Sequence, residues 1–228
     1  MLAWQSPSVC PVPLALAIRT FLFDLDGTLI DHFEAIHRCY AYTLPRLGLP
    51  APTPDQVRAA VGGGLENALS RFVPPSRLAE AVEIYRAYWH ETMLDGVKAL
   101  PGALDLLTTL TARGARCAVL TNKLGSSSRL ICDQLGFTPH LALVIGAGDT
   151  RWLKPARELT LHTLALLGEA PGNALLIGDS PYDVDAAHNA GLPCWVVTTG
   201  THTAGQLRAA GADALFDGLG QLAASLAV

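Results

Sequence analysis

From residue 98 onward the chain alternates between two patterns. Apolar runs of strand length, Arg116–Leu120, Ala142–Ile145, Ala174–Ile177 and Cys194–Val197, are separated by helix-like stretches at Gly102–Arg113, Ser126–Leu135, Ala156–Leu167 and Tyr182–Ala190. Most of the runs are bounded by Gly, Pro or Asn. Strands buried on both faces read as continuous apolar runs, and strand–helix alternation builds a parallel sheet with helices on both faces. Thr20–Phe23 has the same character and is assigned to that sheet. A short strand near Ala214–Phe216 and a helix from Leu219 close the expected α/β fold.

Between residues 32 and 97 no strand-like run occurs. Phe33–Leu47, Asp55–Ala60, Leu65–Phe72 and Arg77–Leu94 read as helices punctuated by Pro50, Pro52, Pro54, Pro74 and Pro75. The division expected is a tail over 1–17, an α/β core over 18–31 and 98–228, and a helical cap over 32–97. The tail has no basic start, and Pro7, Pro11 and Pro13 interrupt it, which argues against a signal peptide.

Composition narrows the class. Of 228 residues 50% are hydrophobic and 16% charged, enough apolar content for a sizeable core. A net charge of -4 gives no support to a nucleic-acid surface, and no run approaches the length of a membrane span. The five cysteines, Cys10, Cys39, Cys117, Cys132 and Cys194, are scattered without metal-ligand spacing. They are expected to be reduced thiols in a cytoplasmic protein.

The candidate chemistry lies at strand ends. Asp24-Leu25-Asp26-Gly27-Thr28 follows the first strand, Thr121-Asn122-Lys123 follows Arg116–Leu120, and Gly178-Asp179-Ser180-Pro181-Tyr182-Asp183 follows Ala174–Ile177. Lys154-Pro155 precedes a helix. Open α/β sheets bind ligands at this edge, so one fold would gather all four segments. Alternation sends Asp24 and Asp26 the same way, and two close carboxylates need a cation or a shared proton. That leaves a metal site, an acid/base pair, or both. The set suits phosphoryl transfer: a carboxylate can attack phosphorus, Mg²⁺ takes carboxylate and carbonyl oxygens, and a hydroxyl and a lysine can hold phosphate oxygens.

On these four motifs, in this order, the chain resembles the haloacid dehalogenase-like hydrolase superfamily. Gly62-Gly63-Gly64 and Gly148-Asp149-Thr150 make it most similar to the phosphoglycolate phosphatases within it. The resemblance implies a Rossmann-like parallel sheet with an α-helical cap inserted after the first strand. It also implies a Mg²⁺-dependent phosphatase that forms an aspartyl-phosphate from a small phosphorylated metabolite, with phosphoglycolate as leading substrate. Asp24 would be the nucleophile and Asp26 the acid and base. Mg²⁺ would be held by the Asp24 carboxylate, the Asp26 carbonyl and Asp179, with Asp183 a further acidic anchor. Thr121, Asn122 and Lys154 would bind the phosphoryl group, and Gly63 would face the substrate.

The alternatives within the fold are a phosphosugar mutase, a pyrophosphatase and a nucleotidase. In β-phosphoglucomutases the resemblance puts a histidine twelve residues after the nucleophile; here that place is Ile36, with His37 beside it. Outside the enzymes, a phosphoacceptor or sensor module shares the acidic residues, the Thr and the Lys. Read individually, Lys123 is a solvated neighbour, Asp185 an exposed helix residue, the histidines carry no role, and the tryptophans pack. Arg71 is the cap cation proposed to meet a substrate carboxylate.

Overall fold

A computed structural model describes residues 18–226. The expected tail, with Cys10 and Trp4, lies outside the described residues. Six strands form one parallel sheet in the order β5-β4-β1-β6-β7-β8: β1 is Thr20–Phe23, β4 Arg116–Leu124, β5 Leu143–Ala147, β6 Ala174–Gly178, β7 Cys194–Val197 and β8 Ala214–Phe216. The chain runs outward from β1 through β4 to β5, then returns to the other side of β1 at β6. The reversal leaves a crevice at the carboxyl ends of β1, β4 and β6, where such sheets bind ligands. Register fixes which residues meet there: Phe23 stands opposite Val119 and Ile177, so Asp24, Thr121 and Asp179 all emerge at this edge.

The period of two divides the core cleanly. Phe21, Phe23, Cys117, Val119, Leu175 and Ile177 pack on one face of the sheet. Leu22, Ala118, Leu120, Leu176 and Val196 pack on the other. Helices Ala103–Ala112 and Gly125–Gln134 contribute Leu106, Leu107 and Ile131 to the first face. Helices Arg157–Leu167 and Pro181–Ala190 contribute Leu159, Leu164, Val184 and Ala187 to the second. Cys39, Cys117, Cys132 and Cys194 are free and buried among these layers. Among the described residues no helix is long and apolar enough to cross a membrane.

Four α-helices, Phe33–Arg46, Pro54–Ala60, Leu65–Leu69 and Leu78–Thr92, lie within residues 32–97. Tyr42 stacks on Tyr88 with ring centroids 3.8 Å apart, joining the two long ones. Thr53 caps the second, with Pro54 at its first position where a missing N–H is harmless. The stems of this insert pair: β2, Ile30–Asp31, is antiparallel to β3, Lys98–Ala99. This two-stranded ribbon is absent from the sequence reading, because two residues are too few to show alternation. The short helix Ala204–Ala209 was likewise not foreseen.

Candidate active site

Asp24 follows β1, and its amide donates to Ile177 O at 2.9 Å. Lys154 Nζ donates to Asp24 Oδ1 and to Asp183 Oδ1, each at 2.6 Å, and all three groups are buried. Asp183 opens helix Pro181–Ala190, where its Oδ2 accepts from Ser180 N, Asp179 N and Ser180 Oγ. A side chain on Gly178 would put its Cβ 2.2 Å from Asp183 Cγ, so only glycine fits under that carboxylate. Asp179 has weaker donors, Thr201 N at 3.3 Å and Thr28 Oγ1 at 3.5 Å. Gly27 turns the chain at φ 83°, and a Cβ there would lie 2.7 Å from Asp179 Oδ2.

Oxygens of Asp24, Asp179 and Asp183 lie within 4.8 Å of one another. Burial, with Asp183 adding to it, lifts Asp24 to about 6 against the pull of Lys154. Burial, together with Asp24 and Asp183, pushes Asp179 well above the carboxylate range. Burial alone would lower Lys154, but Asp183 and Asp24 hold its ammonium above its ordinary range. One ammonium among three buried carboxylates leaves negative charge uncompensated. A hard divalent cation fits this donor set, with Asp24 and Asp179 offering the less committed oxygens.

Thr121 is buried, lines the cavity above Asp24, and accepts from Lys123 N, so its own proton remains available to a ligand. The Asn122 side chain is committed elsewhere. Its Oδ1 accepts from Lys154 N at 2.7 Å, and its Nδ2 donates to Lys154 O and Gly62 O at 3.0 Å each. It braces the lysine segment and ties it to the inserted helices. Gly62 and Gly64 line the cavity, whereas Gly63 sits under the Tyr182 hydroxyl, 2.7 Å from where a Cβ would be. Asp149 is clamped by both terminal nitrogens of Arg129 and by Gly146 N, which makes Gly148-Asp149-Thr150 a loop fastening rather than part of the cavity.

Two sequence readings are corrected. Lys123 is not solvated: its Nζ meets both Asp26 oxygens at 3.0 and 2.9 Å and lies 4.3 Å from the Trp89 ring centroid. A lysine next to a motif gives no sign of this, because its partner is 97 residues away. Arg71 is exposed and donates to Ala59 O; the insert cations lining the cavity are Arg58 and Arg86. Asp185 is exposed, as read.

His32 also lines the cavity, buried beside Trp89, with Nδ1 3.7 Å from Asp26 Oδ1. Burial, with the Lys123 ammonium next, brings it down from 6.5 to about 4, so it is a neutral neighbour of Asp26 and not an ion-pair partner. Between those values the unfolded chain binds a proton that the folded chain refuses. Stability therefore falls as pH drops from about 6.5 to about 4, by up to about 3 kcal/mol, and levels off below. In metal-free urea titrations at pH 7 and pH 4.5, His32→Phe is expected to lose less stability on acidification than the parent. Parallel losses would show that His32 is not the acid-sensitive group.

Comparison with known proteins identifies the family. A family model described as haloacid dehalogenase-like hydrolase matches residues 21–197. A phosphoglycolate phosphatase of Aquifex aeolicus is 36% identical over 174 residues, 76% of this chain and 82% of its own length. One from Chromobacterium violaceum is 30% identical over 213 residues, covering 90% of this chain and 95% of its own. The solved structure of a haloacid dehalogenase-like family hydrolase from Streptococcus pneumoniae superposes with a TM-score of 0.85 at 25% identity, covering 92% of this chain and 98% of the other.

Proposed function

Because this chain belongs to the haloacid dehalogenase-like hydrolase family, we propose that it is a Mg²⁺-dependent phosphatase of small phosphate monoesters working through an aspartyl-phosphate. The observation that carries this reading is Asp24, buried, pinned through one oxygen by Lys154 and beside Asp179 at the mouth of the crevice. Phosphoglycolate, for which the relatives are named, is the first ester to test.

The second Asp24 oxygen attacks phosphorus as the ester P–O bond breaks. Asp26 passes a proton to the departing oxygen, then takes one from the water that opens the aspartyl-phosphate. Lys123 holds the Asp26 carboxylate in place for both transfers. Lys154 and the Thr121 hydroxyl hold phosphoryl oxygens. The Asp24 and Asp179 carboxylates and the Asp26 carbonyl, with Asp183 behind them, would hold Mg²⁺, which would offset charge between the nucleophile and the phosphate dianion. Residues 32–97 act as a cap over the 18–31 and 98–228 core, excluding bulk water and choosing the ester. Trp89 Nε1 on Ser127 Oγ at 3.1 Å and Asn122 on Gly62 are the contacts that would part on opening. The enzyme works in the cytoplasm.

Free-phosphate detection with phosphoglycolate and a panel of other esters tests this. Many turnovers per enzyme are expected, lost on chelation and restored by Mg²⁺. A single stoichiometric burst would point instead to a phosphoacceptor module. A mutase reading is disfavoured by the cavity wall: Ile36 lines it, while His37 Nε2 is bonded to Pro52 O at 3.0 Å.

A further inference from the structure

The cavity above Asp24 and Thr121 has a volume of about 330 Å³ and reaches into the inserted helices. That places it at the lower end of sites that enclose a whole organic ligand, about 300–1,000 Å³, and it has to hold the phosphoryl group as well as the leaving group. Its far wall is made by Ile36, Tyr40, Ala68, Tyr85 and Trp89. These side chains belong to the apolar core that continues from the sheet. Tyr40 and Tyr85 have ring centroids 5.3 Å apart, and Tyr85 and Trp89 6.1 Å, forming an aromatic surface.

The cations of the lining are largely committed. Lys123 is bound to Asp26 at 2.9 Å, and Arg86 to Glu66 at 2.7 Å. Arg58 lies over the Phe33 ring at 3.8 Å and is exposed. Asp31 adds negative charge to the lining. Among the described residues, the lining cation without a carboxylate partner is the exposed Arg58, and the aromatic wall carries no cation of its own. A carboxylate pressed against that wall would lose hydration without a partner, while an alkyl or aryl group would gain from leaving water.

We infer that the leaving group favoured by this cavity is apolar and of ring size, so that the substrate class is phosphate monoesters of primary alcohols carrying an aryl or branched alkyl group. The inference rests on the phosphatase reading, but not on phosphoglycolate. The reaction is the same hydrolysis: the P–O bond of the ester breaks, water supplies the new P–O bond, and the alcohol leaves with a proton.

The test is kcat/KM with Mg²⁺ for ethyl, isopentyl and 2-phenylethyl phosphates and for phosphoglycolate, with p-nitrophenyl phosphate as control. Primary alkoxide leaving groups keep the intrinsic reactivity of the alkyl series nearly level. Burying a side chain the size of phenylalanine corresponds to a gain on the order of tenfold to a hundredfold. The 2-phenylethyl ester is expected to exceed the ethyl ester about thirtyfold and to exceed phosphoglycolate. Val61→Phe, which narrows the apolar end, is expected to cut the 2-phenylethyl to ethyl ratio about tenfold. A misfolded variant would lower both rates and leave that ratio alone. A flat series, an unchanged ratio in a variant that keeps the parent's rate on ethyl phosphate, or phosphoglycolate as the better substrate would each overturn the inference. Absence of any p-nitrophenyl phosphate turnover would instead remove the phosphatase reading itself.

Discussion

Asp24→Asn is expected to lower phosphate release by about 10⁴-fold or more while leaving the protein folded. Removing a covalent nucleophile takes away the reaction path, and losses of that order follow when such a group is deleted from a catalytic unit. Asparagine keeps the shape and can still accept from Lys154 through its oxygen. Ordinarily a buried substitution beside a charged partner confuses activity with stability. Here the two separate, because Asp24 is lifted to about 6 chiefly by burial. An acid whose folded pKa is raised makes the fold less stable as pH climbs past its unfolded value, so removing that charge should not lower the melting temperature at pH 7.5. The measurement is paired: phosphate release and thermal unfolding on the same preparation. Near-parent turnover would sink the aspartyl-phosphate scheme. Lost turnover with a collapsed melting temperature would mean that the variant tested folding instead.

Lys154→Met is expected to cost both activity and about 3–5 kcal/mol of stability at pH 8. The lysine is enclosed with Asp24 and Asp183, at 2.6 Å from each. Deleting it leaves two buried carboxylates facing each other without their cation, which costs more than the pair was worth. The sign of the pH effect follows from the same contacts. Asp24 already protonates near 6, and more readily without Lys154, so part of the penalty disappears on acidification. The stability gap between parent and variant should therefore narrow from pH 8 to pH 5. Urea titrations at the two values read this directly. A gap under about 1 kcal/mol at pH 8 would show that the carboxylates find other compensation. Arginine is a poor replacement, because its planar fork is larger than the compact ammonium that this enclosure admits.

Both variants lie in a part of the site that was legible in the chain. Phe21-Leu22-Phe23 before Asp24, and Ala174–Ile177 before Gly178-Asp179, are apolar runs that can only be interior strands. Parallel strands in one sheet end at a common edge, so the sequence pattern alone brings the acidic pairs, Thr121 and Lys154 to one place. Strand β7, Cys194–Val197, and β8, Ala214–Phe216, lie where the apolar runs put them. Strand β4 extends to Leu124, four residues past the apolar run, because its polar end is held by neighbours and not by hydrophobic burial.

The side-chain roles at this edge were less legible. Asn122 spends its amide on Lys154 and Gly62; Lys123 turns inward to Asp26 and Trp89; His32 is buried neutral between them. Each of these depends on a partner brought from a distant part of the chain, and no local pattern encodes such a partner. The lining of the cavity belongs to the same category, since Ile36, Tyr40, Tyr85 and Trp89 look like ordinary core residues of amphipathic helices until the insert is folded over the sheet.

By itself, then, the amino-acid sequence determined the layers, the strand edge and the carboxylates that gather there, because burial periodicity and turn chemistry are local properties of the backbone. Only the tertiary structure decided which cation serves which carboxylate and what shape is left for the leaving group, because charge pairing and cavity form arise from surfaces far apart in the chain and brought together by packing.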